Sequence, residues 1–249
     1  MITKIIAHRG ASKSAPENTL PAFQLAYDLG ADGIETDVQL TKDNVPVLIH
    51  DEGLKRTTNG YGYVKDYMYQ ELKELDAGSW FSASYAGTNL LSLEEFLIWA
   101  KDKPLYLNIE LKNNKIDYKN LEKIVYTMLK DFQLLNRTTL STFNPKSIKR
   151  MKKIDNKINA ALLTSKRRKD LVGYAKNLGA DAIHVKYRLL SRNLVEKCKA
   201  EGIAIRIYTV NKSLHIKRCF NLECDGIFTD VPGKAHNIKL SVDQGDLDE

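Results

Sequence analysis

The stretch GIETDVQLTKDNVPVLIH, Gly33–His50, holds two apolar, β-rich runs on either side of Thr41-Lys42-Asp43-Asn44. A spacer of about four residues cannot carry a parallel crossover, which needs a dozen or more. Gly33–Leu40 and Pro46–His50 therefore read as an antiparallel hairpin. Seven other runs read as strands: Ile5–His8, Leu105–Leu111, Thr138–Thr142, Asn159–Leu163, Ala182–Val185, Ala204–Val210 and Gly226–Thr229. With the return strand of the hairpin set aside, eight strands remain, and helical patterns alternate with them. That is the signature of an α/β protein, a (β/α)8 TIM barrel. Residues 51–91 then form a small insertion after the second barrel strand. The expected organisation is one barrel domain over residues 1–240 and an acidic C-terminal tail over 241–249.

Local signals agree with this frame. Leu121, Ile124, Val125, Met128, Leu129 and Phe132 follow a 3.6-residue period. Asn18-Thr19 can cap a first helix that carries Pro21 in its first turn and stops at Gly30. Ser92 and Glu95 have the spacing of a capping box. LGADGIETD (Leu29–Asp37), LGADAIHVK (Leu178–Lys186) and LECDGIFTD (Leu222–Asp230) repeat one logic: a helix closes, a turn carries Asp, a strand follows.

The 249 residues carry a formal charge of +7, concentrated in Lys146–Lys157 and in Lys166-Arg167-Arg168-Lys169. Such runs usually mark solvated helical faces; an anionic partner is the sharper reading. Aromatics do not interleave with them, so nucleic acid is not expected. No apolar run reaches the roughly 18 residues of a membrane helix. No leader pattern precedes Lys4-Ile5, and Cys198, Cys219 and Cys224 form no disulfide framework, so a cytoplasmic location is expected. Oligomeric state leaves no trace in the sequence.

Glu35 and Asp37 lie two apart on one strand and so share a face. Two carboxylates side by side repel unless a cation joins them, and hard Mg²⁺ or Ca²⁺ prefers oxygen ligands. A turn centred near Lys42-Asp43 would place Glu35 almost opposite His50, and Asp37 opposite Leu48. In LYLNIELK, Ile109 and Leu111 claim the helix side, which turns Glu110 and Lys112 toward the barrel mouth. The bland alternatives are solvated strand-end carboxylates and a Glu110–Lys112 ion pair. His8 and Arg9 close the first strand, and the planar Arg fork suits phosphate oxygens. Together these groups suit phosphodiester cleavage, with two imidazoles for proton transfer and cationic charge for the transition state. His184 reads as a core or barrel-lining residue, His215 as a helix-surface residue and His236 as part of a polar tail.

AHRGASKSAPENT, GIETDVQLTKDNVPVLIHD, LNIELK, STFNP, YTVN and GIFTDVP occur in an order that resembles the glycerophosphodiester phosphodiesterase family, from Ile6 to about Pro232. The resemblance implies a (β/α)8 barrel, one Mg²⁺ or Ca²⁺, and hydrolysis of a small glycerophosphodiester such as glycerophosphocholine or glycerophosphoethanolamine. The products would be an alcohol and sn-glycerol 3-phosphate. Residue by residue, it implies acid/base roles for His8 and His50 and metal ligation by Glu35, Asp37 and Glu110. Arg9 and Lys112 would contact phosphate, and Phe143 and Tyr208 would line the glycerol or alcohol pocket. Glu17 and Asn18 would brace the first loop. The family often has Trp where this chain has Tyr208, so the pocket is expected to differ there. Two competing functions are a lysophospholipase D-type activity on lysolipids and non-catalytic phosphodiester binding.

Overall fold

The computed structural model describes residues 3–243. Nine strands form one sheet: β1 Lys4–His8, β2 Gly33–Leu40, β3 Pro46–Leu48, β4 Tyr106–Leu111, β5 Thr138–Thr142, β6 Ala160–Thr164, β7 Ala182–Lys186, β8 Ala204–Tyr208 and β9 Gly226–Thr229. Their order is β1-β9-β8-β7-β6-β5-β4-β2-β3, and β1 also pairs with β2. That pairing closes a parallel barrel of eight strands, with β3 outside it as the antiparallel return of a hairpin. The helices are α1 Leu20–Asp28, α2 Tyr69–Lys73, α3 Leu93–Ala100, α4 Leu121–Asp131, α5 Pro145–Ile154, α6 Leu171–Leu178, α7 Arg192–Ala200, α8 Ser213–Asn221 and α9 Pro232–Asp243.

The repeated Asp of the three echoed segments has one structural job. Asp32, Asp181 and Asp225 each accept a hydrogen bond from a backbone N–H at the start of the preceding barrel strand. The donors are Ile5 at 2.7 Å, Ala160 at 2.8 Å and Ile205 at 2.7 Å. Each carboxylate satisfies an amide at the lower rim, where the ladder offers no partner. The last residue of the second echo, Lys186, closes its strand and that of the third, Asp230, directly follows its strand, whereas Asp37 lies three residues before the end of β2.

Helix α1 carries Pro21 in its first turn and is followed by Gly30 at φ 79°, but the expected side-chain cap does not form: Thr19 stands at the N-cap position with its hydroxyl donated to Pro16 O, and Asn18 turns to Asp37 and Thr36. Its Phe23 packs against Phe96 and Trp99 of α3, with ring centroids 4.8 and 6.0 Å apart. Phe23 and Phe96 are fully buried, so truncating either to Ala would cost about 3–5 kcal/mol. The capping box of Ser92 and Glu95 forms at the start of α3. The insertion has a small core of its own, in which Val47, Ile49, Leu54, Val64, Leu72, Ala77 and Leu90 are buried together.

Three expectations need correction. The hairpin register is displaced by one residue: Val38 pairs with Leu48, Gln39 with Val47 and Leu40 with Pro46, and Ile49 N donates to Asp37 O. The turn is one residue longer than expected because Asn44 takes the left-handed conformation at φ 61°, closing a loop from Thr41 to Val45. Neither Glu35 nor Asp37 therefore faces the residue expected. The run Lys166–Lys169 is not a helical face; it lies on the loop between β6 and α6. His236 belongs to α9, not to a polar tail, and its ring packs over Gly30. Helix α9 also crosses the boundary drawn at residue 240, and residues 244–249 of the expected acidic tail lie outside the described residues.

Candidate active site

A cavity of about 280 Å³ opens at the carboxyl ends of the barrel strands. It is lined by His8, Arg9, Glu35, His50, Glu110 and Lys112 on one side and by Phe143, Leu163, Lys186 and Tyr208 on the other. Eight of the nine candidate residues thus meet in one space. The ninth, Asp37, is fully buried beside them.

Strand register explains the carboxylate cluster. His8 pairs with Glu35, Glu35 with Asn108 and Asp37 with Glu110, so neighbouring positions on two adjacent strands, β2 and β4, carry the acids, with His8 of β1 beside them. Ligand oxygens of Glu35, Asp37 and Glu110 lie within 4.8 Å of one another. Burial, with Asp37 and Glu110 alongside, pushes the Glu35 carboxyl well above its ordinary value. Burial opposes Asp37 as well, but Arg9, Lys112 and His50 more than offset it and hold Asp37 well below the usual carboxylate range.

The cations here are not idle. Arg9 takes the left-handed conformation at φ 58°, and its N–H donates to Glu35 Oε2 at 2.9 Å. Its Nη1 bonds Glu17 at 2.9 Å, and its Nε lies 3.0 Å from Asp37 Oδ2, an ion-pair approach too bent for a hydrogen bond. Lys112 Nζ bonds Glu110 at 2.8 Å and sits 3.6 Å from Asp37. Asn18, also left-handed, donates to Asp37 Oδ2 at 3.0 Å and accepts from Thr36.

The donor set fits a hard divalent cation. It consists of oxygen atoms only; Asp37 Oδ1 is buried with no hydrogen-bond partner, and no cationic side chain forms an ion pair with Glu35 among the described residues. A positive ion there would relieve the repulsion that raises Glu35.

Sequence reasoning missed the groups that hold the two imidazoles. His8 Nδ1 meets Asp230 Oδ1 at 2.7 Å, and His50 Nδ1 meets Asp51 Oδ1 at 2.6 Å. Asp230 is itself fixed by Ser12 at 3.2 Å and Asn211 at 2.6 Å. Asp51 is held by Arg56 Nε at 2.5 Å, and the Nη atoms of Arg56 grip Glu17 at 2.9 and 2.7 Å. The peptide of His50, which lies beyond the end of β3, is anchored by Gln39, whose Nε2 donates to His50 O at 3.0 Å. The signals existed: Asp51 follows His50 directly, and Asp230 occupies the same place in its echo that Asp37 occupies in the first.

His184 lines the cavity floor. Arg206 Nη1 lies 3.1 Å from its Nε2, while its Nδ1 has no partner. Burial and Arg206 push this imidazole well below its ordinary value, which disfavours its charged form. His215 stacks on Tyr187 at 3.8 Å, away from the cavity. The three cysteines are buried free thiols.

An acid cluster and two carboxylate-held imidazoles facing one cavity at the mouth of a barrel are groups that a hydrolase can use. Comparison with known proteins is more specific. Residues 8–234 match the glycerophosphoryl diester phosphodiesterase family. A glycerophosphodiester phosphodiesterase of Caldanaerobacter subterraneus is 39% identical over 238 residues, covering 96% of this chain and 98% of that one. One from Bacillus altitudinis is 40% identical over 241 residues, with 96% and 98% covered. The structure of an Oleispira antarctica phosphodiesterase in complex with the product sn-glycerol-3-phosphate matches with a TM-score of 0.87 and 30% identity, covering 95% of this chain and 96% of that one. The chain belongs to the glycerophosphoryl diester phosphodiesterase family. It is an enzyme, a phosphoric diester hydrolase. No helix among the described residues is long and apolar enough to cross a membrane.

Proposed function

We propose that this enzyme hydrolyses small glycerophosphodiesters to an alcohol and sn-glycerol 3-phosphate, using His8 and His50 as its proton-transfer pair and a divalent cation at Glu35, Asp37 and Glu110. The observation that carries this reading is the pair of imidazoles, each tied at Nδ1 to a carboxylate, facing one cavity with the acid cluster. A carboxylate at Nδ1 fixes the tautomer and leaves Nε2 to work on the substrate. One imidazole takes a proton from the attacking nucleophile, a water or the free glycerol hydroxyl of the substrate, and the other gives one to the departing alkoxide.

A bound Mg²⁺ or Ca²⁺ would supply positive charge for the phosphate oxygens as the transition state gains negative charge. Lys112, and the Nη2 of Arg9 that no described group occupies, contribute further positive charge at the cavity wall. Phe143 and Tyr208 face each other edge-on at 6.1 Å and offer an apolar wall for the carbon skeleton. The bound product of the Oleispira relative supports glycerol 3-phosphate as a ligand of this cavity. Buried free thiols support a reducing, cytoplasmic setting.

The test is release of glycerol 3-phosphate from glycerophosphocholine and glycerophosphoethanolamine by the purified chain. Turnover is expected with Mg²⁺ or Ca²⁺, and EDTA, His8→Ala or His50→Ala should each abolish it. Full turnover in both histidine variants would overturn the assigned roles.

A further inference from the structure

Beside the active cavity lies a second cleft, of about 370 Å³, walled by the loops that follow β6 and β7. Lys166, Arg167, Arg168, Lys169, Arg188 and Lys197 line it, and its only acid is Asp170. Asp170 is already committed, since its carboxylate caps α6 by accepting from Gly173 N at 3.0 Å. None of the six cations meets a carboxylate among the described residues. Lysines on the same helices and on neighbouring α5 are treated differently: Lys152, Lys176 and Lys199 pair with Asp181, Glu201 and Glu223. The cleft also takes in the first turns of α6 and α7, capped by Asp170 and Ser191, whose helix dipoles add positive potential. Six like charges gathered without counterions repel one another, and an anion seated among them reverses that cost.

We propose that this cleft is a second anion site, and that the enzyme favours glycerophosphodiesters whose alcohol carries a further phosphate. This rests on the reading of the active cavity given above. Its walls connect the two spaces: Leu163 and Lys186, near the ends of β6 and β7, line the active cavity, and Lys166 and Arg188, two or three residues further on in the loops that follow, line the cleft. Lys186 is exposed and has no acidic partner among the described residues, which places one more free cation between them. In a cavity of about 280 Å³ with Lys186 on its wall, an alcohol arm that carries a second phosphate would extend past Lys186. The β6 and β7 loops offer that arm a cationic path, which suits a second phosphate and opposes a choline.

A lipid surface fits the cleft less well. The cations sit in a concavity, and none of the exposed large apolar side chains, such as Leu20, Trp80, Ile98 or Leu214, lies on the segment 163–197. A bilayer-docking face would mix such anchors with its charges.

The test compares kcat/KM for glycerophosphocholine and for glycerophosphoglycerol phosphate, in the wild type and in the double variant Arg167→Gln/Lys197→Gln. Both positions are exposed and stand outside the catalytic cluster. The wild type is expected to favour the phosphorylated diester by about tenfold at low salt. The double variant should lose that advantage while its turnover of glycerophosphocholine stays unchanged. Equal use of the two diesters by the wild type, or an equal loss on both in the variant, would overturn the proposal. Should no diester be cleaved, the reading of the active cavity fails; calorimetry with inorganic phosphate still reads the cleft, as a binding event present in the wild type and weakened in the variant. Unchanged phosphate binding, or variant-sensitive sedimentation with phosphatidylglycerol vesicles without any substrate preference, would overturn the anion-site assignment.

Discussion

His8 and Asp230 stand at opposite ends of the chain and meet at 2.7 Å. His8 closes the first barrel strand and Asp230 directly follows the last, so the contact spans the seam where β1 pairs with β9. Barrel closure and imidazole orientation are therefore one event. Replacing Asp230 by Asn leaves one accepting oxygen for the three donors His8, Ser12 and Asn211 and removes the negative charge that steadies a protonated imidazole. The expected result is a fall in kcat of about 100-fold or more, with KM little changed and the pH–rate profile altered. A variant with the wild-type pH profile would assign Asp230 to structure alone.

Arg56 belongs to the insertion but grips Glu17 of the first loop and Asp51 beside His50. Through Glu17 and Arg9 the contacts continue to Asp37. Arg56 is 42% exposed, so its removal should cost little stability, about 1 kcal/mol or less. Its effect belongs in catalysis: Arg56→Ala is expected to lower kcat by roughly tenfold through freer His50 and Glu17 side chains. The decisive measurement is kcat beside a urea melt; a large loss of stability with kcat intact would contradict it.

Acid should weaken the site in a defined window. Burial opposes both Asp51 and Asp230. Arg56 and His50 outweigh it and hold Asp51 down to about 2; His8 and Asn211 outweigh it at Asp230 and hold that group below its ordinary value. A carboxylate depressed in the folded state stabilises above its unfolded value and ceases to do so as pH falls through the folded one. The contribution should be complete above about pH 4 and lost toward about pH 2. Thermal melts over that range should show a shallower acid decline in Asp51→Asn than in the wild type.

The carboxylate cluster should respond to metal in stability as well as in rate. Without metal, Glu35→Gln replaces a carboxyl whose ionisation burial, Asp37 and Glu110 all oppose, and is expected to raise Tm by about 2–4 °C over the metal-free wild type. Added Mg²⁺ or Ca²⁺ should raise the wild-type Tm and leave the variant almost unmoved. A metal-free variant that melts lower than the wild type would show that Glu35 is held by something other than a cation.

Much of this was legible from residue order. The short spacer at Thr41–Asn44 reduced nine strands to eight, and two-residue alternation placed Glu35 with Asp37 and Glu110 with Lys112. The exact register was not legible, because it depends on whether Asn44 adopts a left-handed conformation, and sequence alone allows either turn. The partners of the imidazoles were hidden for a different reason. Asp230 is 222 positions from His8, and their contact exists only once the barrel closes. Arg56 was hidden because its reach across the insertion follows from irregular backbone that has no period. The basic run at Lys166 was visible as charge, but only the fold turned it from a helix face into a cleft wall.

The arrangement of the cavity splits the enzyme by chain order. Both imidazoles, the acid cluster, Arg9 and Lys112 all come from the first 112 residues, while Phe143, Leu163, Lys186 and Tyr208 supply the facing wall. Under the proposed roles, reactivity and selectivity would reside on separate halves, joined by the β4–β5 and β1–β9 pairings and by the bond between Asp230 and His8. Loops after β5 to β8 can be exchanged, lengthened or recharged to suit a new alcohol without disturbing the reacting groups. Laboratory evolution aimed at substrate choice should concentrate its library there and keep Asp230 fixed as the clasp between the halves.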